Sequence, residues 1–134
     1  NAVDEFKIAT ELSPRFVQAH NNLGVVLVEL RQFEEARASY RQAIDLDPKF
    51  VDAYTNLAWL YAEYGEGLDR ALDLADQAVR LLKDAVTYET LAMVQNARKE
   101  YRKSDEAMQQ ALRLDTDNAL LKQRWEMMKE KREN

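Results

Sequence analysis

The chain contains no cysteine, one histidine, two prolines and three glycines among its 134 residues. Each scarcity removes a class of explanation. Without cysteine there is no disulfide, no thiolate metal site and no cysteine nucleophile. His20 alone cannot furnish a zinc-type ligand set. Ser13, Ser39 and Ser104 have no histidine in register, so a Ser–His–Asp arrangement is unsupported. Ser13 reads as a helix cap, Ser39 as solvated surface, Ser104 as a packing contact and His20 as a structural residue facing a neighbouring helix. So few glycines and prolines exclude a fold built on hairpins and tight turns. No stretch approaches the roughly 18 uninterrupted apolar residues of a membrane span. The net charge of −5 removes the basic footprint that phosphate backbones or anionic bilayers demand. Neither nucleic acid nor membrane insertion is therefore expected, and no cofactor or metal.

What remains is abundant: Ala, Leu, Glu, Gln, Lys and Arg, the strong helix formers. The length suits one domain with a real core. The first residue is Asn1 and no signal-peptide pattern is visible, so the chain reads as a piece of a longer parent. The compartment stays open, with the cytoplasm as the default for a soluble chain.

The sequence repeats itself. Val17, Ala19, Asn22 and Leu23 recur 34 residues later as Val51, Ala53, Asn56 and Leu57, and Leu91 lies a further 34 on. Gly24, Ala58 and Ala92 form a small-residue series. In the second half of each unit Ala36, Ala71 and Ser104 correspond, as do Ala43, Ala78 and Ala111, at offsets of 35 and 33. The middle unit thus carries one extra residue near "GEGLD" and loses it near Lys83. Each unit holds two helical runs, expected at 15–30 and 33–47, 49–64 and 67–82, and 84–98 and 101–115. Asp47 or Ser13 should cap a helix, with Pro48 or Pro14 in its first turn. Gly65 and Gly67 should end the helix before them in the left-handed conformation. Residues 1–12 match a lone second helix through Ala2, Phe6 and Ala9, and "NALLKQRWEMMKEKREN" reads as one final helix. The implied division is a partial unit at 1–16, repeats at 17–50, 51–84 and 85–118, and a capping helix at 119–134.

"NNLG" (21–24), "FEEA" (33–36), "YRQAIDLDP" (40–48), "TNLAWLYAEYG" (55–65) and "DEAMQQALRLD" (105–115) carry a resemblance to the tetratricopeptide repeat family, whose period is 34 residues. His20 and Tyr54 stand where that family often has Trp, and Lys83 and Thr116 where it has Pro. The resemblance implies an all-α, right-handed solenoid of stacked antiparallel helix pairs, with first helices lining a concave surface. The physics agrees, because a pair this short cannot bury its apolar face alone and must stack.

Chemistry beyond stacking is sparse. Glu34–Glu35 and Asp73–Asp76 read as solvated helix faces rather than a carboxylate pair for acid–base work. "GEG" lacks the strand and lysine of a phosphate loop. Lys122, Arg124, Lys129, Lys131 and Arg132 alternate with glutamates as a solubilising cap. No enzyme is indicated.

The groove positions are more informative. Asn21, Val25 and Val28 come from the first unit; Asp52, Thr55, Trp59, Ala62 and Glu63 from the second; Glu89, Met93 and Asn96 from the third; Met127 from the last helix. Val25, Trp59, Met93 and Met127 occupy equivalent places and form an expected apolar ridge with an acidic rim. The family's carboxylate clamp is disfavoured, since Asn21 stands at the usual lysine position and Val25 at an asparagine position. A protein or peptide partner with apolar anchors and basic flanks fits better. Two alternatives stand beside this scaffold reading. One is a homo-oligomer docking through Leu120, Leu121, Trp125 and Met128. The other is an accessory module of a larger enzyme or of a secretion or assembly complex.

Overall fold

The computed structural model describes residues 3–4, 16–64 and 67–132. From residue 16 onward the described residues form seven helices: α1 Val17–Glu29, α2 Phe33–Leu46, α3 Val51–Tyr64, α4 Leu68–Leu81, α5 Ala85–Ala97, α6 Tyr101–Leu114 and α7 Ala119–Arg132. The boundaries fall within about two residues of those the repeat predicts, the scatter ordinary for helix ends. The helix expected over 1–12, the Ser13–Pro14 start and the Gly65 cap lie outside the described residues. Of that N-terminal stretch only Val3 is described inside the core. Among the described residues no helix is long and apolar enough to cross a membrane.

Helices pair as α1/α2, α3/α4 and α5/α6, and the first helices α1, α3 and α5 touch in succession. Each second helix packs on its own first helix and on the next one. Second helices make no comparable contact with each other, so they form an outer layer around an inner row of first helices. The arrangement is a solenoid of stacked antiparallel helix pairs, as the repeat predicts.

The packing follows from residue size. Ala36, Ala43, Ala53, Ala58, Ala71, Ala75, Ala78, Ala92 and Ala111 are fully enclosed, where helices cross too closely for anything larger. Gly24 is the tightest case. A Cβ there would lie 2.4 Å from the Tyr40 ring, so the aromatic ring of α2 occupies the space a side chain on α1 would need. Burial, and then the charge of Glu29, push the Tyr40 hydroxyl up to about 12. Ser104 replaces an alanine without leaving an orphan, since its hydroxyl donates to the Ala92 carbonyl at 2.7 Å. Leu23, Leu27, Leu57, Leu60 and Tyr61 fill a continuous core across the first two pairs. A smaller cluster of Ala107, Met108, Ala111 and Leu121 joins α5, α6 and α7.

Three local expectations are corrected. Asp47 ends α2 instead of capping α3; its extended backbone sends its carboxylate to the Lys49 N–H at 3.1 Å, and α3 begins only at Val51. The short carboxylate closes a turn over Pro48, whose carbonyl in turn accepts from the Tyr54 hydroxyl. Gly67 has φ −137 and precedes α4, so it is not a left-handed cap. Among the described residues the left-handed positions are Arg31 (φ 60) and Lys99 (φ 65). Both complete Schellman closures: Gln32 N–H to Leu27 C=O and Arg31 N–H to Val28 C=O, then Glu100 to Gln95 and Lys99 to Asn96. Finally, Ser39 is buried instead of solvated.

Candidate functional site

Successive first helices are joined by a polar ladder at a spacing of about 35 residues. Asn56 donates to Asn21 across α3 and α1 at 3.1 Å. Arg124 on α7 grips Glu89 on α5 with Nε and Nη2, the latter at 2.8 Å. One rung differs: the Trp59 indole N–H donates to the Thr90 hydroxyl at 3.3 Å, and Thr90 donates on to the Val86 carbonyl.

This ladder changes several groove assignments. Asn21 and Thr55 are buried; Asn21 faces α3, and Thr55 donates to the Asp52 carbonyl of its own helix. Glu89 is neutralised by Arg124, and the Asn96 side chain accepts from Arg132 Nε at 2.7 Å. These four residues therefore build the inner layer. Asp52 and Glu63 are exposed, while Val28, Ala62 and Met93 are half-buried against the core. The ridge of Val25, Trp59, Met93 and Met127 is exposed at its ends, Val25 at 38% and Met127 at 49%, and half-buried in between. Trp59 is held by its hydrogen bond, with part of its ring left open.

Around that open part lies a hollow of about 200 Å³ on the inner surface. Val25, Val28, Trp59, Leu60 and Tyr64 give it apolar walls, and the exposed carboxylates of Glu29 and Glu63 stand on its rim. Tyr64 is fixed by stacking on Phe33 with ring centroids 4.3 Å apart. The wall is thus preformed.

The terminal-helix residues proposed for self-docking turn inward. Leu121 is buried, Trp125 and Met128 pack on the second core cluster, and only Leu120 stays exposed. Trp125 N–H also donates to Asp105 at 2.8 Å. The apolar stripe that suggested another copy is satisfied within the chain. Arg124 and Arg132 likewise tie α7 down as well as solubilising it.

A second region was not legible as a site from the sequence. Because second helices stand apart, two repeat-equivalent troughs open on the outer face. The one between α2 and α4, floored by α3, encloses about 580 Å³. Its counterpart between α4 and α6 encloses about 510 Å³. Three guanidiniums surround the buried Tyr61 ring at the first trough: Arg37, Arg41 and Arg70, at 5.5, 5.9 and 6.0 Å from its centroid. Arg41 also donates to the Tyr61 hydroxyl. The Arg37/Arg41 spacing of four residues was a visible signal, but Arg70 joins them only through the fold.

Residues 26–65 match the TPR repeat family. No curated protein sequence matches the chain. Among solved structures, the thermophilic TPR protein TTC0263 of Thermus thermophilus superposes with a TM-score of 0.86 at 20% identity, over 94% of this chain and 70% of that one. YrrB, described as a TPR protein with an unusual peptide-binding site, gives 0.74 at 21% identity, over 87% of this chain and 60% of its own. The first TPR of Spaghetti (RPAP3), solved bound to the HSP90 peptide SRMEEVD, gives 0.76 at 17% identity, over 88% of this chain and 94% of that one. At these identities the shared property is the fold.

Proposed function

We propose that this chain, a tetratricopeptide-repeat solenoid, is a non-enzymatic scaffold that receives a peptide segment or protein partner in its concave groove. The observation that carries this reading is the preformed hollow beside Trp59, apolar inside and acidic at its rim. A fitting partner offers an apolar side chain to the hollow and cationic flanks to Glu29 and Glu63. Peptide recognition by YrrB and by the Spaghetti repeat supports the general role. The acidic peptide bound by the latter is not the expected ligand. Here Asn21 is spent on the helix ladder, Val25 offers no amide, and the rim repels carboxylates.

Affinity capture on immobilised wild-type, Val25→Glu and Trp59→Ala chains, read by quantitative mass spectrometry, tests the proposal. Val25 is exposed, so its replacement charges the hollow without opening the core. A partner depleted about tenfold or more on both folded variants supports the groove. Equal retention on all three overturns it.

A further inference from the structure

The outer trough between α2 and α4 is a dipolar site. Helices α2 and α4 run in the same direction, each antiparallel to α3, and both line the trough. At one end Arg41 and Arg70 lie over Tyr61. One helical turn further on, Asp45 follows Arg41 and Asp73 follows Arg70, while Leu57 replaces Tyr61 on the floor. Among the described residues, no carboxylate pairs with Arg41 or Arg70 and no cation pairs with Asp45 or Asp73. The other nearby carboxylate, Asp69, is neutralised by Arg98. Asp73 accepts only from Gln77, at 3.0 Å. Each unmatched guanidinium is thus followed by an unmatched carboxylate one turn along its own helix, four residues or about 6 Å of rise from Arg41 to Asp45 and three residues or about 4.5 Å from Arg70 to Asp73.

Those two axial steps, bridged by long arginine side chains, lie within reach of an extended peptide, whose alternate side chains stand about 6.6–6.8 Å apart on one face. We propose that this outer trough binds an extended segment of the form acidic–any–basic, its carboxylate on Arg41 and Arg70 and its cation on Asp45 and Asp73. Arginine suits the first role because a planar guanidinium pairs two-pronged with a carboxylate. The apolar stems of both ligand side chains lie over Leu57 and Leu74 on the floor and wall. The equivalent trough discriminates against the same segment. Asp76 takes the place of Arg41, and Glu100 and Glu106 face it with Lys103 as the one cation among the residues that line it. Burial, with Asp73 and Glu100 nearby, raises the Asp76 carboxyl against the pull of Arg80 and Lys103.

The test is an NMR titration of the whole ¹⁵N-labelled chain, including arginine Nε–H signals, with the peptide acetyl-Ser-Glu-Ala-Lys-Ser-amide. Saturable shifts are expected at Arg41, Arg70 and Leu57 below about 5 mM, with affinity reduced at least about fivefold when Gln replaces the peptide's Glu. Arg41→Gln with Arg70→Gln should lower affinity about tenfold or more, and the Lys double variant should fall between it and the wild type. Both arginines are exposed, and the Lys pair keeps charge and ring contact should the Gln pair lose structure. No saturable shift, equal affinity for the Gln peptide, or shifts centred on Trp59 or on Glu100 and Glu106 each overturn the proposal.

Discussion

The two ends of the solenoid are held together by different forces. In α1 to α4 the contact is apolar and close: Leu27 and Leu57 are sealed in one core with Tyr40 and Tyr61, and the ladder rung between α1 and α3 is a neutral amide pair. At the far end α7 has a single buried residue, Leu121, with Trp125 and Met128 half-buried beside it, and it is fastened by several polar ties. Arg124 holds Glu89, Trp125 donates to Asp105, and Arg132 reaches both Asn96 and Asp105. Arg132 Nη1 donates to Asp105 at 3.1 Å, while Nη2 sits 2.9 Å from the other carboxylate oxygen outside hydrogen-bond geometry. Among the described residues the inner pairs exclude water with helices on both sides, whereas α7 is packed on one side, against α5 and α6, and is tied there by charge. The apolar end should therefore fail globally, and the polar end should open locally.

Truncating one leucine at each end breaks or sharpens this contrast most strongly. Leu27 and Leu121 are equally buried, at 1% exposure. Leu27→Ala should cost about 2–5 kcal/mol and lower the thermal midpoint of the whole chain. Leu121→Ala should release α7 alone, erasing amide exchange protection over 119–132 while α1 to α4 keep theirs. If both variants shift the global midpoint equally, the stack is one cooperative unit and the contrast fails.

Acid should separate the ends next. Burial pushes the Asp105 carboxyl up, but hydrogen bonds from Arg132 and Trp125, with the charges of Arg132 and Lys129, outweigh it and hold the group below its ordinary range. A carboxyl depressed in the folded state stabilises it above the unfolded value of about 3.9, and that stabilisation is lost as pH falls through the folded value. Below about pH 4, α7 should detach before the apolar core melts. In a Trp59→Phe background, red-shifted Trp125 emission should therefore precede the main loss of helicity. Asp105→Asn should show the same emission already at neutral pH. Coincident transitions would show that the polar ties do not govern α7.

The order and stacking of the described helices were legible in the sequence because they depend on side-chain size at a fixed period, and size is a property of each residue alone. Gly24, Ala58 and Ala92 announce close crossings wherever they recur. The inner surface was legible in outline: Val25, Trp59 and Glu63 do line or rim the hollow. Asn21, Glu89 and Asn96 were misplaced because a polar residue facing the next helix and one facing solvent leave the same sequence signature. The deciding factor was the partner, 35 or 36 residues away, that consumed each of them. The outer trough stayed hidden for a related reason. Arg41, Tyr61 and Arg70 belong to three helices and converge only because second helices splay.

The smallest expected effect sharpens the comparison by removing what both ends share. Arg31 and Lys99 hold equivalent left-handed turns, one after α1 and one after α5, at φ 60 and 65. An L side chain in that region costs roughly 1 kcal/mol that glycine avoids, although glycine surrenders more chain entropy on folding. Arg31→Gly should therefore stabilise the chain by about 0.5 kcal/mol in urea melts, and Lys99→Gly should match it, because the Schellman closures are the same. Arg31 and Lys99 are both exposed, so no buried contact offsets the gain. A gain at Arg31 with a loss at Lys99 would mean that the α5–α6 turn draws support from the Lys99 side chain. The difference between the ends would then reach into the turns as well as the last helix.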